Sequence, residues 1–155
     1  MKNKSNPLIF SSQKDGTQEV YQLNLTTGLA TNLSQSGEED GYPRCSLDGR
    51  RIAFATNRDG FWEIYLMNED GSGQQNLTKN RGRNGYMDWS PDGRTLVFAS
   101  TRHGQKNNEI YTIRADGTGL KRLTNHPAED VHPVWSHDGR NIVFASERVG
   151  NRQFM

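Results

Sequence analysis

A sequence motif that occurs three times constrains the fold of this chain more than any other feature. The copies read CSLDGRRIAFAT (45–56), WSPDGRTLVFAS (89–100) and WSHDGRNIVFAS (135–146). A phenylalanine marks the same place in each copy and in the opening PLIFSS, at Phe10, Phe54, Phe98 and Phe144. These residues are 44, 44 and 46 positions apart. A period of that length indicates structural repeats that bury their apolar faces only against one another.

Each repeat reads as four short strands. In the repeat that contains WSPDGRTLVFAS we predict strands at MDWS, TLVFAS, EIYTIR and LKRLT, separated by turn segments such as SPDGR (90–94) and ADGTG (115–119). The two extra residues of this repeat fall in RHGQKNNE (102–109), where we expect a longer loop. TLVFA is apolar at consecutive positions, which indicates a strand covered on both faces. Four antiparallel strands in about 40–45 residues are typical of a β-propeller blade, so the sequence predicts an all-β propeller.

Charge and composition exclude several classes of function. Nineteen basic residues balance 18 acidic ones without a block of one sign, which argues against nucleic acid as a partner. The apolar run PLIF (7–10) is too short for a signal peptide or a membrane span. We therefore expect a soluble chain without membrane insertion.

The pattern SPDGRTLVFASTR…NEIYTIRADGTGLKRLT, followed by DVHPVWSHDGR, strongly resembles the WD40-like PD40 repeat of TolB-type propellers. The resemblance covers the chain apart from its first few residues. Similar propellers serve as periplasmic interaction platforms, as gating domains of peptidases and as catalytic bodies of oligogalacturonide lyases, so the resemblance implies architecture and leaves function open. It implies a periplasmic location if a signal has been removed, and a cytoplasmic one otherwise.

The repeats divide the chain into one partial propeller over residues 1–155, with about 3.5 blades. The repeats run approximately over 1–44, 45–88, 89–134 and a truncated 135–155. We expect the first strand of the first blade in MKNKS (1–5), and Met155 aligns with Tyr65 in mid-strand. Two alternatives would close the ring: a homodimer with about six blades, or a longer propeller of which this is a fragment.

Residues that return in every repeat are candidates for architecture. Cys45 replaces Trp89 and Trp135, so we predict a buried small hydrophobic residue. We also predict pairs across the second hairpin between basic residues (Lys14, Arg58, Arg102 and Arg148) and acidic ones (Glu19, Glu63 and Glu109). The segment SHD (136–138) lies in a turn and cannot form a triad. Four irregularly spaced histidines, at 103, 126, 132 and 137, predict no metal site, and we predict no cofactor and no catalytic residue.

The variable segments connect one blade to the next, at 35–43, 79–87 and 125–133. They should share one face with the loop between the second and third strands and lead into the channel-lining strands, which makes that face the predicted binding surface. The candidate partner-binding residues are Glu38, Glu39, Asp40, Tyr42, Arg81, Arg83, Asn84, Tyr86, His126, Glu129, Asp130 and His132. Their mixed charges suit a protein or peptide partner.

Two sets of equivalent positions lie within these loops. They are Tyr42, Tyr86 and His132, and Asp40, Asn84 and Asp130. Such a ring could hold a cation or polar ligand, whereas an Asp or Asn before a strand commonly caps its own turn, and both interpretations stay open.

The sequence thus favours a non-enzymatic interaction module. The alternative is a fragment or accessory propeller of an enzyme, either the gating domain of a serine peptidase or part of an oligogalacturonide lyase. No G-x-S-x-G motif or metal-binding histidine pattern occurs, so this alternative needs chemistry outside the chain. A third interpretation is a truncated or engineered repeat array without a function of its own.

Overall fold

A computed structural model describes residues 7–103, 107–148 and 153–155 of the chain. Every regular element within these ranges is a β-strand, which confirms the predicted all-β class. The expected first strand in residues 1–5 and part of the expected loop insertion, at 104–106, lie outside the described residues. None of the described ranges contains a helix that is long and apolar enough to cross a bilayer.

The strands form four separate antiparallel sheets, which we number as blades 1 to 4. Blade 1 contains β1 (Leu8–Ser12), β2 (Glu19–Leu23) and β3 (Ala30–Asn32). Blade 2 contains β4 (Asp40–Cys45), β5 (Arg51–Thr56), β6 (Glu63–Asn68) and β7 (Gln75–Asn76). Blade 3 contains β8 (Asn84–Trp89), β9 (Thr95–Ser100), β10 (Glu109–Arg114) and β11 (Lys121–Arg122). Blade 4 contains β12 (Asp130–Trp135), β13 (Ile142–Ser146) and β14 (Gln153–Phe154).

Strands follow chain order within each blade, which confirms the propeller architecture with open sheets. The repeated phenylalanine pairs with the repeated tyrosine of the next strand: Phe10 with Tyr21, Phe54 with Tyr65 and Phe98 with Tyr111. Their ring centroids lie 5.8, 5.9 and 5.8 Å apart, respectively, within the range of favourable aromatic contacts. In blade 4, Phe144 exchanges backbone hydrogen bonds with Met155, which confirms the alignment of Met155 with Tyr65.

The hydrophobic core lies between the blades. Ala53, Ala55 and Leu66 of blade 2 pack against blade 3, where Leu96 and Phe98 are fully buried. Equivalent clusters lie between blades 1 and 2 and between blades 3 and 4. Neighbouring blades therefore cover both faces of the middle sheets, which explains why their second strands are apolar at consecutive positions.

The inner strand β8 is longer than the sequence predicts, and the outer strand β11 is shorter. Strand β8 begins at Asn84 rather than Met87, because a bulge lets pairing start earlier. Strand β11 pairs only at Lys121 and Arg122, so the predicted strand LKRLT is shorter than expected. The inner strands β4, β8 and β12 lie beside one another and contact neighbouring blades. The division of the chain into repeats at 44, 88 and 134 stays a prediction.

Cys45 is exposed, so the prediction of a buried small hydrophobic residue is wrong. The equivalent Trp89 is buried and spans the gap to blade 2, where its Nε1 donates to the carbonyl of Arg44 at 2.9 Å. Cys45 lines a cleft of about 250 Å³ beside Pro7 and Ile9. Partial burial of the sulfur raises the pKa of the Cys45 thiol.

Candidate functional site

Each inner strand carries a β-bulge at the same place. In β4, Gly41 pairs with Ala55 and Arg44 with Ala53, so Tyr42 and Pro43 together oppose the single residue Phe54. The register shifts of β8 and β12 are equivalent, and they leave two residues opposite Phe98 and Phe144. A bulge of this kind turns one side chain out of the regular alternation of the strand.

The first residue of each bulge has left-handed backbone geometry. Tyr42, Tyr86 and His132 have φ values of 54°, 50° and 52°, respectively. This conformation costs a non-glycine residue about 1–2 kcal/mol, and residues held in it cluster at functional sites. All three side chains are exposed. We call Tyr42, Tyr86 and His132 the aromatic row.

Two clefts lie along the aromatic row. Tyr42 and Tyr86 line the first, a cavity of about 60 Å³ that also contacts Trp62, Arg83 and Asn108. All three members of the row line the second, a cavity of about 100 Å³ next to Arg44, Asp88 and Pro133. The rings of Tyr86 and His132 are 4.1 Å apart. Both clefts are smaller than the roughly 300–1,000 Å³ of typical small-molecule pockets.

The loops between blades lie against the loops between second and third strands, as the sequence predicts. The N–H of Arg83 donates to Thr101 Oγ1 at 2.9 Å, and the N–H of Thr101 donates to the carbonyl of Arg83 at 3.0 Å. Glu39 and Asn57 make the equivalent pair of bonds at the preceding blade. Both sets of loops therefore lie at the same end of the propeller as the aromatic row.

The predicted partner-binding residues fall into three groups by exposure. Exposed side chains are those of Glu38, Tyr42, Arg81, Arg83, Tyr86 and His132. Half-buried ones are Glu39, His126 and Glu129. Asp40, Asn84 and Asp130 are buried at the start of each inner strand, so they present no side-chain surface to a partner. All three hydrogen-bond within the fold, and their assignment as partner-binding residues stays a prediction.

The repeated arginines pair differently from the prediction. Arg58 contacts Asp40 at 3.0 Å and Arg148 contacts Asp130 at 2.6 Å, across the first hairpin rather than the second. Arg102 donates to Asn84 Oδ1 at 3.2 Å. Each guanidinium lies over the phenylalanine of its own blade, 5.2–5.6 Å from the ring centroid, which directs it toward the inner strand.

Blade 3 alone, among the described residues, has an ion pair to the repeated glutamate. Arg122, on the fourth strand, contacts Glu109 at 3.1 Å.

The repeated glutamates instead bind the loop that leads to the next blade. Glu109 accepts the hydroxyl of Thr124 at 2.5 Å and the N–H of His126 at 2.8 Å. Glu63 accepts the hydroxyl of Thr78 and the N–H of Asn80, and Glu19 makes equivalent bonds. Sequence reasoning missed this role, although a Ser or Thr follows each glutamate by 15 residues.

Burial and hydrogen bonding shift two of these carboxyl groups in opposite directions. Burial raises the pKa of Glu63, although the bonds from Thr78 and Asn80 oppose the shift. At Glu19 burial also acts to raise the pKa, but bonds from Ser34, Gly37 and Ser36 outweigh it and the net shift is downward.

The histidines make separate contacts. His103 Nδ1 lies 2.5 Å from the hydroxyl of Tyr111, and His126 Nδ1 accepts the N–H of Ala128 at 3.0 Å. Within the part of the chain that the structure describes, no three His, Cys, Asp or Glu side chains are grouped so as to hold a metal ion.

Three solved structures illustrate what this chain is similar to. The putative TolB of Agrobacterium tumefaciens is 29% identical, with a TM-score of 0.81 over 95% of this chain and 56% of that one. TolB of Acinetobacter baumannii is 22% identical, with a TM-score of 0.76 over 96% of this chain and 37% of that one. An oligogalacturonate lyase in complex with manganese is 23% identical, with a TM-score of 0.62 over 83% of this chain and 35% of that one.

The chain thus spans only about half, or less, of the length of these structures. The similar structures include enzymes as well as TolB proteins, and those below 25% identity show the fold alone. No curated protein sequence matches this chain. The PD40 family, described as the TolB beta propeller domain, matches residues 72–155. With the repeated blades and the similar TolB structures, this match places the chain in the TolB β-propeller family.

Proposed function

We propose that this chain is a non-enzymatic module that binds a protein or peptide through the aromatic row and the loops around it. The left-handed backbone of Tyr42, Tyr86 and His132 carries the proposal. The strained conformation is retained at three equivalent positions, and each time it exposes a ring at the inner edge of a blade. Exposed tyrosines on a rigid strand are typical anchors in protein interfaces.

The size of the clefts supports a protein or peptide rather than a small molecule. Cavities of about 60 and 100 Å³ can each admit one side chain of a partner. A small molecule that is largely buried on binding needs a larger pocket. An extended segment lying across the row could place successive side chains in the two clefts.

The charges around the row support a partner with a particular order of charges. Glu38 and Glu39 lie at the junction of blades 1 and 2, and Arg81 and Arg83 at the junction of blades 2 and 3. A partner segment with basic residues toward the first junction and acidic residues toward the second would match this order. The similarity to TolB proteins is consistent with such a platform.

The test uses peptides selected from a random displayed library for binding to this chain. We expect Tyr86→Ala to weaken most selected peptides by about tenfold or more, since truncating a tyrosine anchor commonly costs over 1.4 kcal/mol. Leu25→Ala is the matched control, because Leu25 is exposed in an outer loop. Peptides that bind the Tyr86 variant as well as the original chain would place binding elsewhere.

A second candidate is an accessory propeller of an enzyme. The similar folds of an oligogalacturonate lyase and of a puromycin hydrolase favour it. Because this chain supplies no G-x-S-x-G motif, catalysis would have to come from another domain. We expect the chain alone to leave oligogalacturonate intact in the presence of manganese, and cleavage would overturn the non-enzymatic proposal.

We also propose that a second copy of the chain covers the two outermost blade faces. Val143 and Phe154 of blade 4 are 38% and 80% exposed, while Val97 and Ile110, their equivalents in blade 3, are buried. Leu8 of blade 1 is likewise 52% exposed, whereas its equivalent Ile52 is buried. The exposed face of blade 4 thus corresponds to the face that blade 3 presents to its neighbour.

Molar mass in solution tests the homodimer. We expect a mass twice 17.5 kDa that persists on dilution, and a return to 17.5 kDa for Val143→Asp. Leu25→Asp, in an outer loop, should remain dimeric. A monomeric original chain would overturn the proposal and leave these faces to further blades of a longer polypeptide.

A further inference from the structure

The first residue of each inner strand has the same environment but not the same chemistry. It is Asp40 in β4, Asn84 in β8 and Asp130 in β12, and all three are buried. Their N–H groups donate to equivalent carbonyls of the preceding blade, those of Gln18, Trp62 and Asn108, at 2.7, 2.8 and 3.0 Å, respectively. The three sites can therefore be compared atom by atom.

Asn84 satisfies all its hydrogen-bonding groups. Its Oδ1 accepts the hydroxyl of Ser100 at 2.7 Å and a bond from Arg102 at 3.2 Å. Its Nδ2 faces three acceptors, the carbonyls of Trp62 and Gly82 and the carboxylate of Glu63, at 3.0, 3.1 and 3.0 Å, respectively. The place of Nδ2 is thus one that requires a donor.

Asp40 and Asp130 have an oxygen where Asn84 has this donor. Oδ2 of Asp40 accepts bonds from Ser36 at 2.7 Å and Arg58 at 3.0 Å, which makes it the equivalent of Asn84 Oδ1. Oδ2 of Asp130 likewise contacts Arg148. Oδ1 of both aspartates is buried and finds no partner within residues 7–103, 107–148 and 153–155. By equivalence with Asn84 Nδ2, Oδ1 of Asp40 faces the carbonyl of Gln18 and the carboxyl group of Glu19.

A carboxyl oxygen at the position of Asn84 Nδ2 is unfavourable unless it is protonated. A buried oxygen facing other acceptors costs about 1–3 kcal/mol, and two neighbouring buried carboxylates do not both ionise readily. A protonated carboxyl group, in contrast, donates an O–H bond in the direction that the Asn84 amide uses.

The charged side chains around Asp40 differ from those around Asp130. Within the described residues, Arg58 forms an ion pair with Asp40 and no cation pairs with Glu19, so ionisation of both carboxyl groups leaves one negative charge without an ion pair there. Asp130 and Glu109 are in contact with two cations, Arg148 and Arg122, so that junction is neutral when both carboxyl groups are ionised. At the middle junction Glu63 faces the neutral amide of Asn84 in place of a second carboxyl group.

We propose that the folded chain holds one proton between Asp40 and Glu19, which makes the junction of blades 1 and 2 sensitive to pH. Asp40 is two residues before Tyr42, so loss of this proton should disturb the bulge that presents Tyr42. The consequence for partner binding rests on the proposed function, whereas the bound proton does not.

The sign of the pH effect follows from the proton count. The folded chain binds one more proton than the unfolded chain above the ordinary titration range of aspartate, about pH 4. The stability that this proton contributes is complete in acid and is lost as the pH rises through the point where the folded pair releases it.

Urea unfolding at pH 5 and pH 9 tests the proposal with Asp40→Asn. The variant introduces the residue that Asn84 already supplies at the middle junction, so it should fold. We expect its unfolding constant, divided by that of the original chain, to fall about tenfold from pH 5 to pH 9, which is the change expected when the folded pair releases its proton about one pH unit above the lower pH of the comparison. Asp130→Asn should change the ratio less, because Arg122 compensates the second charge there. A pH-independent ratio for Asp40→Asn would overturn the proposal.

The converse substitution is the matched control. Asn84→Asp should create a new pH dependence of the same sign, because it places a second carboxyl group beside Glu63. Glu19→Gln removes the other carboxyl group of the Asp40–Glu19 pair. This variant should also flatten the pH dependence of the unfolding constant.

Infrared spectroscopy reports the proton independently of stability and of any partner. The original chain at pH 5 should show the carbonyl stretch of a protonated carboxylic acid that Asp40→Asn lacks, and the difference between the two spectra should vanish at pH 9. Absence of the band from the original chain would overturn the proposal. A chelator that destabilises the original chain but not Asp40→Asn would also overturn it, since a metal ion would then occupy the place of the proton.

Discussion

The middle blades and the end blades contain the same repeated sequence motif, yet their equivalent side chains are buried to very different extents. Val97 of blade 3 is fully buried, whereas the equivalent Val143 of blade 4 is 38% exposed. Ile110 is fully buried, whereas the equivalent Phe154 is 80% exposed. The residue types are similar, so the difference comes from the neighbours. A blade of this family does not contain its own core, and the stability of each sheet depends on the sheets beside it.

The largest expected effect compares the repeated phenylalanine in a middle and an end blade. Phe98→Ala should lower the free energy of unfolding by about 3–5 kcal/mol, because it leaves a cavity between two blades. Phe144→Ala should cost about half as much, because Phe144 is only partly buried. Urea unfolding of both variants measures the difference. Equal losses would show that blade 4 is as well covered as blade 3.

A second comparison uses the tyrosines that pair with these phenylalanines. The pKa of Tyr21 in blade 1 and of Tyr65 in blade 2 is raised to about 12 from 10.0. At Tyr21 the largest cause is the hydrogen bond to Asp15, and at Tyr65 it is burial, followed by the bond to Asp59. The stability from these neutral phenols is present below pH 10 and is lost as the pH rises toward 12.

Ultraviolet titration of the phenols separates the two causes. We expect Asp15→Asn to lower the ionisation midpoint of Tyr21 more than Asp59→Asn lowers that of Tyr65, because the bond to Asp15 is the largest cause of the raised pKa at Tyr21, whereas the bond to Asp59 ranks behind burial at Tyr65. Tyr21→Phe and Tyr65→Phe variants assign the two transitions. The reverse order would mean that the bond to Asp59, rather than burial, is the main cause of the raised pKa of Tyr65.

The smallest expected effect concerns Cys45 and Trp89. Cys45→Ala should change the free energy of unfolding by no more than about 0.5 kcal/mol, as is usual for exposed residues, whereas Trp89→Ala removes a buried ring. A thiol reagent should modify Cys45 in the folded chain faster as the pH rises, because the thiolate is the reactive form, and the raised pKa should move this increase to a higher pH than for a free thiol. Protection of Cys45 from the reagent would place it in a covered interface.

The repeat pattern predicted the blades because each strand has a fixed partner within one period. Phe98 and Tyr111 could be paired from their spacing alone, and the turns around Gly93 were marked by their residues. The loop face was also predictable, since strand order determines which loops lie together. The partners of Arg58 and Glu63 were not predictable, because a long side chain can reach several strands, and the choice depends on ring stacking and on loop shape.

The bulges were missing from the prediction for a related reason. Alternation of apolar and polar residues breaks at Tyr42 and Tyr86, and a broken pattern resembles a loop. Only the pairing of Gly41 with Ala55 on the far side shows that the strand continues.

These bulges have a further consequence for the inner edges of the blades. A free strand edge presents a row of unpaired backbone groups that can recruit another strand, and this is a common route to aggregation. In β4 the row is interrupted by the turned-out Tyr42 and by Pro43, which has no N–H to donate, and in β12 by His132 and Pro133. The same irregularity that exposes an aromatic ring therefore prevents a foreign strand from extending the sheet. A partner at this surface should bind through its side chains and should not add a strand to the sheet.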